Sequence, residues 1–534
     1  MDSIKPINIK NGSNSLLGFN SLLFVIYGLF IIFIGLPIIY TFGTVLFEND
    51  LSNSFKLLNN ATFSLLFKSL ILASSVGIIS TFFGTILGFL LYKTNLKLRS
   101  FYKIVLLIPL FISPYILAVA WKDFFFFLFG NSSLISSYFG VIMVLSLIFI
   151  PLAMLIIGSA LSNIDSQIEE SALMLVSFKK MVFSIILPLI KPALITSFVL
   201  IFIFSISEFS VPAFFGVKVF TTEIFTQFSA FYNHSLAIIQ STLLIAICII
   251  LLYAERKYIA DAPFLSVGSK GTNNKLYDII NYRKLGQLFL IVWLFISIVL
   301  PFIILFAQSF KGGMDSFIRA YDLLLPTFVN SIFLAFMAAI ISVFIGFIAA
   351  YFSIKRSKIY KSFEWFLLLV FAIPSTIYGI SLIKFYNQPE LSFIYSTSAI
   401  IIIGYVGKYT FISAKLISNA IKQIPNSIDE VSQIQGIPIF SRLTKILIPI
   451  ILPTIFIAFI ISFIFSLGEL GTTIMLYPPG TEIMPIKVFT IMANAPQALI
   501  SSMTLIVFSV TLLMISIFYF MLNPFIKKYH SIND

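Results

Sequence analysis

The amino-acid sequence predicts an all-α membrane protein with about twelve transmembrane helices, arranged as two parallel six-helix repeats. The 534-residue chain is 59% hydrophobic and only 10% charged, with a mean hydropathy of +1.05, whereas a soluble domain has roughly a quarter of charged residues. Its apolar runs reach about 20 residues, the length that crosses a bilayer as a helix. One motif also recurs in each half of the chain, which indicates an internal repeat.

Twelve apolar stretches are long enough to be membrane-spanning helices. The first is too long for the apolar core of a signal peptide, and no small-residue cleavage pattern follows it, so we expect it to be retained. Prolines within the stretches, such as Pro109, Pro114 and Pro374, are expected to kink helices. The stretches are residues 19–46, 62–91, 104–127, 137–162, 189–213, 235–254, 286–308, 327–354, 363–385, 395–420, 450–477 and 497–523.

The basic residues predict the orientation of these spans. When both termini are placed in the cytoplasm, the inner segments hold about three times as many Lys and Arg residues as the outer ones, as the positive-inside rule requires. The formal net charge of +13 is therefore attributed to loops that face anionic lipid, and not to nucleic-acid binding. We expect a multi-pass protein of the plasma (inner) membrane.

Residues 255–284 form the one long polar stretch within the chain. They contain Gly, Ser, Asn and Pro without helical periodicity, which predicts a cytoplasmic linker. The linker separates a first six-helix half, residues 1–254, from a second, residues 285–534. An even number of spans gives both halves the same orientation, so the repeat is parallel, about an axis along the membrane normal.

The recurring motif lies between the fourth and fifth predicted spans of each half. Capping residues, acids in the first turn and helical spacing predict two short helices joined by a turn, and Gly436 permits the reversal in the second copy. Each copy ends in a proline, and a glutamate follows twenty residues later (188 to 208 and 449 to 469). The copies read Ile168-Glu169-Glu170-Ser171-Ala172 through Ile186-Leu187-Pro188 and Ile428-Asp429-Glu430-Val431-Ser432 through Leu447-Ile448-Pro449.

The second copy resembles the EAA loop of ABC importer permeases, which reads Glu-Ala-Ala, three residues, Gly, nine residues, Ile, one residue, Leu-Pro. Glu430, Gly436, Ile446 and Pro449 match the spacing of that loop, although Val431-Ser432 replace the two alanines. The resemblance implies the type I ABC importer permease fold.

The first copy departs from the family pattern. It keeps Glu170-Ser171-Ala172 and Pro188, but it is one residue short and has no glycine between Leu175 and Val176. The resemblance therefore implies that the turn within the first copy has an altered geometry. One outcome would be weaker coupling of this copy to the subunit that the family loop contacts.

The resemblance also implies partners. In the family this loop inserts into a groove on an ATP-hydrolysing subunit, so we expect two copies of an ABC ATPase, an extracytoplasmic substrate-binding protein and membrane lipid, without nucleic acid. The chain has no Gly-x-x-x-x-Gly-Lys-Ser/Thr phosphate loop. It is therefore expected to be a translocation pore subunit with no catalytic residues and no bound cofactor, and ATP and Mg would be held by the partner.

The residues after the two loops are similar to the fused permeases of the ferric-iron importer branch. They are Ser207-Glu208-Phe209 through Gly216 in the first half and Gly468-Glu469-Leu470 through Glu482 in the second. That branch also includes carriers of thiamine, phosphonates and polyamines. Ferric iron is the expected substrate, those three are alternatives, and alternating access is the expected mechanism.

Several polar residues within or beside the spans have two interpretations each. Glu208 and Glu469 either form a pair near the pseudo-twofold axis, at the outer end of the pathway, or cap interrupted helices. Lys408 either pairs with an acid or extends its amine to the membrane interface, and we favour the second. His234 and His530 are the only histidines and Cys248 the only cysteine, so neither a histidine metal site nor an intramolecular disulfide is expected.

Two other classes of function are weighed against the importer. Twelve spans in two parallel halves are also typical of major-facilitator secondary transporters, but those need internal ion-coupling groups and have no use for a repeated docking segment. A membrane-embedded enzyme is disfavoured because no cluster of Ser, His, Asp or Cys has catalytic spacing. Both alternatives leave the repeated loop unexplained.

Overall fold

The computed structural model describes residues 24–47, 58–259, 276–278, 282–353 and 358–530. Regular secondary structure in these ranges is helical, apart from one isolated bridge between Thr94 and Tyr277. The prediction of an all-α protein is confirmed.

Nine helices in the described ranges are long and apolar enough to cross a membrane, and three bent helix pairs raise the number of candidate spans to twelve. Each of the twelve overlaps a stretch predicted from the sequence. They are α1 Phe24–Thr44, α2 Asn60–Lys93, α3 Arg99–Phe111 with Pro114–Phe129, α4 Tyr138–Ser162, α5 Phe178–Leu189 with Lys191–Ser207, α6 His234–Ala254, α7 Arg283–Phe310, α8 Gly313–Phe352, α9 Ser362–Ala372 with Ser375–Tyr386, α10 Ala399–Lys422, α11 Ile439–Gly468 and α12 Gln497–Phe518.

The third span of each half is sharply bent at a proline. The two segments of α3 meet at 94° beside Pro114, and those of α9 meet at 104° beside Pro374. Proline has no amide donor and its ring clashes with the preceding turn, so the helix stops and a new one starts in another direction. The predicted kinks at these two prolines are confirmed, and they are large enough to break the spans.

The predicted fifth and eleventh spans, residues 189–213 and 450–477, extend too far. Their helices end at Ser207 and Gly468, and Glu208 and Glu469 have extended backbone conformations. Short apolar helices follow the two breaks, Ser210–Phe215 and Thr473–Leu476. The hydropathy of the sequence therefore shows no boundary there. An apolar run indicates that a segment lies in the membrane, but it does not show where the backbone changes direction.

The two halves are packed in the same way. In the first, α2 lies against α4 and α5; in the second, α8 lies against α10 and α11. Glycines bring these helices together: a Cβ on Gly84 of α2 would meet the Ala153 Cβ at 2.3 Å, and one on Gly346 of α8 would meet the Ala414 amide nitrogen at 2.8 Å. Close backbone approach is the main source of attraction between helices in lipid, where apolar burial against a neighbour gains little.

The first span of each half packs against the other half. Helix α1 contacts the second segment of α9, where the Tyr386 hydroxyl donates to the Phe33 carbonyl at 2.8 Å. In the equivalent arrangement, α7 contacts the second segment of α3. Each half thus contributes its first span to the packing of the other half. The two large buried clusters accordingly contain residues of both halves.

Only part of the predicted linker, residues 255–284, can be compared with the structure. The last helix of the first half runs from His234 to Ile259, and the next begins at Arg283. Residues 260–275 and 279–281 lie outside the described ranges. The boundaries of the two halves at residues 254 and 285 stay a prediction.

A buried carboxylate joins the two halves near the ends of α3 and α12. Asp123 is 2% exposed, and its oxygens accept hydrogen bonds from the Ser501 hydroxyl, at 2.6 Å, and from the Gln497 amide. Lys122 and Lys311 add electrostatic attraction. A carboxylate in this position is stable only because donors from the other half reach it.

We predict that Asp123→Ala destabilises the protein by roughly 1 to 2 kcal/mol, because Gln497 and Ser501 lose their acceptor. Asp123→Asn keeps an acceptor oxygen and is expected to cost less. The measurement is the melting temperature in detergent, with Ser516→Ala, at an exposed serine on α12, the helix of Gln497 and Ser501, as the control. Equal melting temperatures for Asp123→Ala and wild type would contradict this role.

Candidate functional site

A short helix lies between the fourth and fifth spans of each half. We call Ser166–Leu175 the first loop helix and Asn426–Ile434 the second loop helix. The Asp165 side chain caps the first by accepting from the Gln167 amide at 3.0 Å. Each loop helix follows an even-numbered span, so both lie at the same end of the bundle.

The predicted pair of short helices joined by a turn is present in both copies, but its second member is the beginning of a span. Helix α5 starts at Phe178 and bends by 60° near Ile190, whereas α11 runs from Ile439 without a comparable bend. Pro188 and Pro449 are exposed and Ile446 is half-buried on these starting turns. The loop helices are thus connected to the spans through short turns.

The loop helices expose the glutamates on which the family resemblance rests. Glu170, Ser171 and Glu430 are exposed, whereas Ala172 faces the bundle and is 7% exposed. Large apolar side chains are exposed beside these glutamates. They are Met174 and Leu175 on the first loop helix, at 86% and 85% exposure, and Val431 and Ile434 on the second. Each loop helix thus exposes acidic and apolar side chains side by side. Exposed apolar patches of this kind often mark interaction sites.

The turns after the two loop helices differ in backbone conformation. Gly436 has a φ of +70°, and a Cβ added there would meet no atom within 4 Å. This left-handed conformation needs glycine because of the backbone, not because of crowding. The first copy passes through an extended Val176, with a φ of −138°, which any residue can adopt. The missing glycine in the first copy thus reflects a different turn.

A buried ion pair holds the first loop helix to the end of α2. The Lys93 Nζ lies 2.7 Å from the Glu169 Oε1, and both side chains are fully buried. Sequence reasoning singled out Glu170 and missed this pair. The only available signal was a basic residue at the end of α2 and an acid one helical turn from the apolar Ala172, and nothing local connects the two.

Glu208 and Glu469, which we call the carboxylate pair, each cap the chain at a helix end and also interact with each other. The Glu208 carboxylate accepts from the Ser210 amide at 2.8 Å and from the Ser210 hydroxyl. Glu469 accepts from the Thr472 amide at 2.9 Å and from the Tyr409 hydroxyl. Both glutamates are half-buried, and they are close enough for their charges to repel. The structure thus brings together the two glutamates that the sequence paired, and it also gives each a local capping partner.

Lys408 does not reach the membrane interface, so the favoured interpretation of this residue is wrong. Its side chain is buried, and its Nζ donates to the carbonyls of Phe371, at 3.1 Å, and Ile373, at 2.5 Å. These carbonyls lie at the break in α9, where the bend removes their helical donors. The ammonium is also attracted by the Glu469 and Glu208 carboxylates. Lys408 therefore stabilises a broken helix and partly balances the carboxylate pair.

The described part of the chain holds no group of three or more His, Cys, Asp or Glu side chains that could bind a metal ion. Cys248 is buried.

The whole-chain comparison agrees with the repeat seen in the fold. Residues 80–261 and 342–528 each match the family described as binding-protein-dependent transport system inner membrane component. Together these matches cover more than half of the chain, and each begins within the second span of one half.

Curated relatives extend the similarity over most of the length. The chain is 26% identical to the Fe(3+)-transport system permease protein FbpB 2 of Haemophilus influenzae, over 88% of this chain and 93% of the relative. It is 25% identical to the putative ferric transport system permease protein FbpB 1 of the same organism, over 90% and 81%. A putative 2-aminoethylphosphonate transport system permease protein, PhnV of Salmonella typhi, is 25% identical over 24% of this chain and 51% of the relative.

The repeated loop helices, the twelve candidate spans in two alike halves and the two family matches agree with one another. The chain belongs to the family of binding-protein-dependent transport system inner membrane components, as a multi-pass permease subunit with two fused copies of the family domain.

Proposed function

We propose that this permease imports ferric iron, which an extracytoplasmic binding protein delivers and a separate ABC ATPase drives across the membrane by alternating access. The observation that carries the substrate is the similarity to ferric transport permeases over about nine-tenths of the chain. The phosphonate permease matches only a quarter of it, so ferric iron is preferred to phosphonate, thiamine or polyamine. The family assignment favours this machinery over a secondary transporter.

The two loop helices are the proposed docking surfaces for the ATPase. They lie at one end of the bundle, expose Glu170 and Glu430, and join the spans through short turns. Two surfaces suggest two ATPase copies. Closure of the ATPase dimer would move the loop helices, and the halves would then rock to open the pathway alternately to each side. The positive-inside bias supports placing this end and both termini in the cytoplasm.

The carboxylate pair is the proposed cation-attracting element of the pathway. Glu208 and Glu469 occupy equivalent breaks in α5 and α11 and repel each other. A passing cation would relieve that repulsion, and the half-buried position gives it access. Lys408 would keep the pair from binding the cation too tightly, because transport needs release as well as entry.

The direct test is reconstitution of the tagged permease with the ATPase and binding protein encoded by the same genome. We expect ATP-dependent uptake of radioactive iron into proteoliposomes only when all three components are present. Uptake of phosphonate, thiamine or polyamine, and not iron, would keep the importer and replace the substrate. Failure of any ATPase to bind would remove the importer proposal itself.

We predict that Gly436→Ala reduces the amount of ATPase that co-purifies with the permease, whereas Gly436→Asn reduces it less. The left-handed conformation costs an alanine about 1 to 2 kcal/mol, and asparagine tolerates it better. Gly436→Pro should abolish the interaction of this surface, because proline cannot adopt a positive φ.

A matched pair of variants tests the acidic contribution to docking. Glu170→Ala with Glu430→Ala should weaken ATPase co-purification, whereas Glu390→Ala, an exposed glutamate between α9 and α10, should not. Undiminished ATPase binding by the double variant and by Gly436→Pro would contradict docking at the loop helices.

We also predict that Glu208→Gln and Glu469→Gln each lower iron uptake by about tenfold, which corresponds to roughly 1.4 kcal/mol of lost attraction. Glutamine keeps a side-chain oxygen for the cap but removes the charge, so insertion and ATPase binding should persist. Iron uptake at the wild-type rate in both variants would mean that the glutamates act as helix caps alone.

A further inference from the structure

A piece of the linker is seated on the first loop helix and its surroundings. Residues 276–278 are described by the structure, and Tyr277 at their centre is buried. Its amide donates to the Lys93 carbonyl at 2.8 Å, and its carbonyl accepts from the Asn95 amide at 3.1 Å. The linker therefore pairs, through its backbone, with the chain that leaves α2.

The Tyr277 side chain extends the contact to the start of α5. Its ring packs edge-on against Phe178, with 5.1 Å between the centroids, and its hydroxyl donates to the Met181 sulfur at 3.9 Å. Burial, and then the negative charge of Glu169, raise the pKa of the Tyr277 phenol above its ordinary value.

The buried ion pair ties the same elements together. The Lys93 carbonyl accepts a hydrogen bond from the Tyr277 amide, and the Lys93 ammonium pairs with Glu169 of the first loop helix. Removing one partner of a buried ion pair is strongly destabilising, because it leaves an uncompensated buried charge. Tyr277 lies within interaction range of Glu169, so α2, the linker, the first loop helix and α5 form one packed unit.

The chain has one such linker, and it is seated on the loop helix that lacks the glycine. The second loop helix turns through Gly436, with its left-handed backbone, whereas the first turns through the extended Val176. The second turn needs glycine for its own backbone conformation. The first needs none, and contacts of Tyr277 and the Lys93–Glu169 pair join its loop helix to residues outside the turn.

We propose that linker residues 276–278 are a structural part of the first docking surface: they brace the first loop helix in the position in which it meets its ATPase, in place of a glycine turn. The two docking surfaces are therefore unequal, one fixed from outside and one shaped by its own turn. This inference rests on the proposed docking function only for the identity of the partner; the brace itself is independent of it.

The experiment is amide hydrogen exchange on the full-length permease in lipid nanodiscs, comparing wild type with Tyr277→Ala. We expect the amides of residues 166–181 to exchange about tenfold faster in the variant, since their opening no longer requires the Tyr277 contacts to break. The amides of the second loop helix serve as an internal reference and should not change. Tyr282→Ala, at an exposed tyrosine nearer the C-terminal end of the linker, is the matched control and should leave both regions unchanged.

Tyr277→Phe separates the ring from the hydroxyl. It keeps the backbone pairing and the packing on Phe178, so exchange should rise less than in Tyr277→Ala. Unchanged exchange at residues 166–181 in Tyr277→Ala would overturn the brace. A rise of equal size at the second loop helix would also overturn it, because the effect would then be general loosening.

ATPase co-purification with the same variants separates the brace from the docking function. Faster exchange in Tyr277→Ala, together with a lower amount of bound ATPase, is the expected result. Faster exchange with undiminished ATPase would mean that the brace is not part of the docking surface and would overturn the proposal. If wild type itself binds no ATPase, the docking function fails while the exchange result still decides the brace.

Discussion

Every backbone donor and acceptor within a membrane must find its partner inside the protein, because hydrocarbon offers none. The architecture of this permease follows from that constraint most clearly where the helices break. At the bend of α9 the freed carbonyls accept from Lys408, and at the ends of α5 and α11 glutamate side chains accept from the amides of the next short helix. Three charged residues of the interior, Lys408, Glu208 and Glu469, thus supply hydrogen bonds at the breaks.

This arrangement makes the capping role and the proposed transport role of the carboxylate pair difficult to separate. A break in a helix requires a charged or polar side chain for its own stability, and the same charge is then available to an ion. The equivalent breaks of the two halves bring Glu208 and Glu469 together. Their capping bonds keep both carboxylates oriented, with Lys408 as a nearby counter-charge. In the proposed function, one set of side chains therefore has two roles, as helix caps and as an attraction for the cation.

Periodicity and hydropathy predicted the number of spans, the kinks at Pro114 and Pro374, and the two short helices of each loop, because these depend on neighbouring residues. They did not predict the ends of α5 and α11, where apolar side chains continue through a change of direction. They also missed the Lys93–Glu169 pair and placed Lys408 wrongly, because both depend on partners distant in sequence. The docking roles of Glu170, Glu430 and Gly436 stay predictions, since packing alone does not reveal a partner.

The exchange of first spans between the halves affects how the protein is made. The second segment of α3 packs against α7, which follows the linker, and α1 packs against α9. When the ribosome has completed the first half, the contacts of α3 with α7 and of α1 with α9 cannot yet form. The early helices must remain in the bilayer partly unassembled until the second half is inserted. Fusion of the halves ensures that the missing helices arrive within the same synthesis.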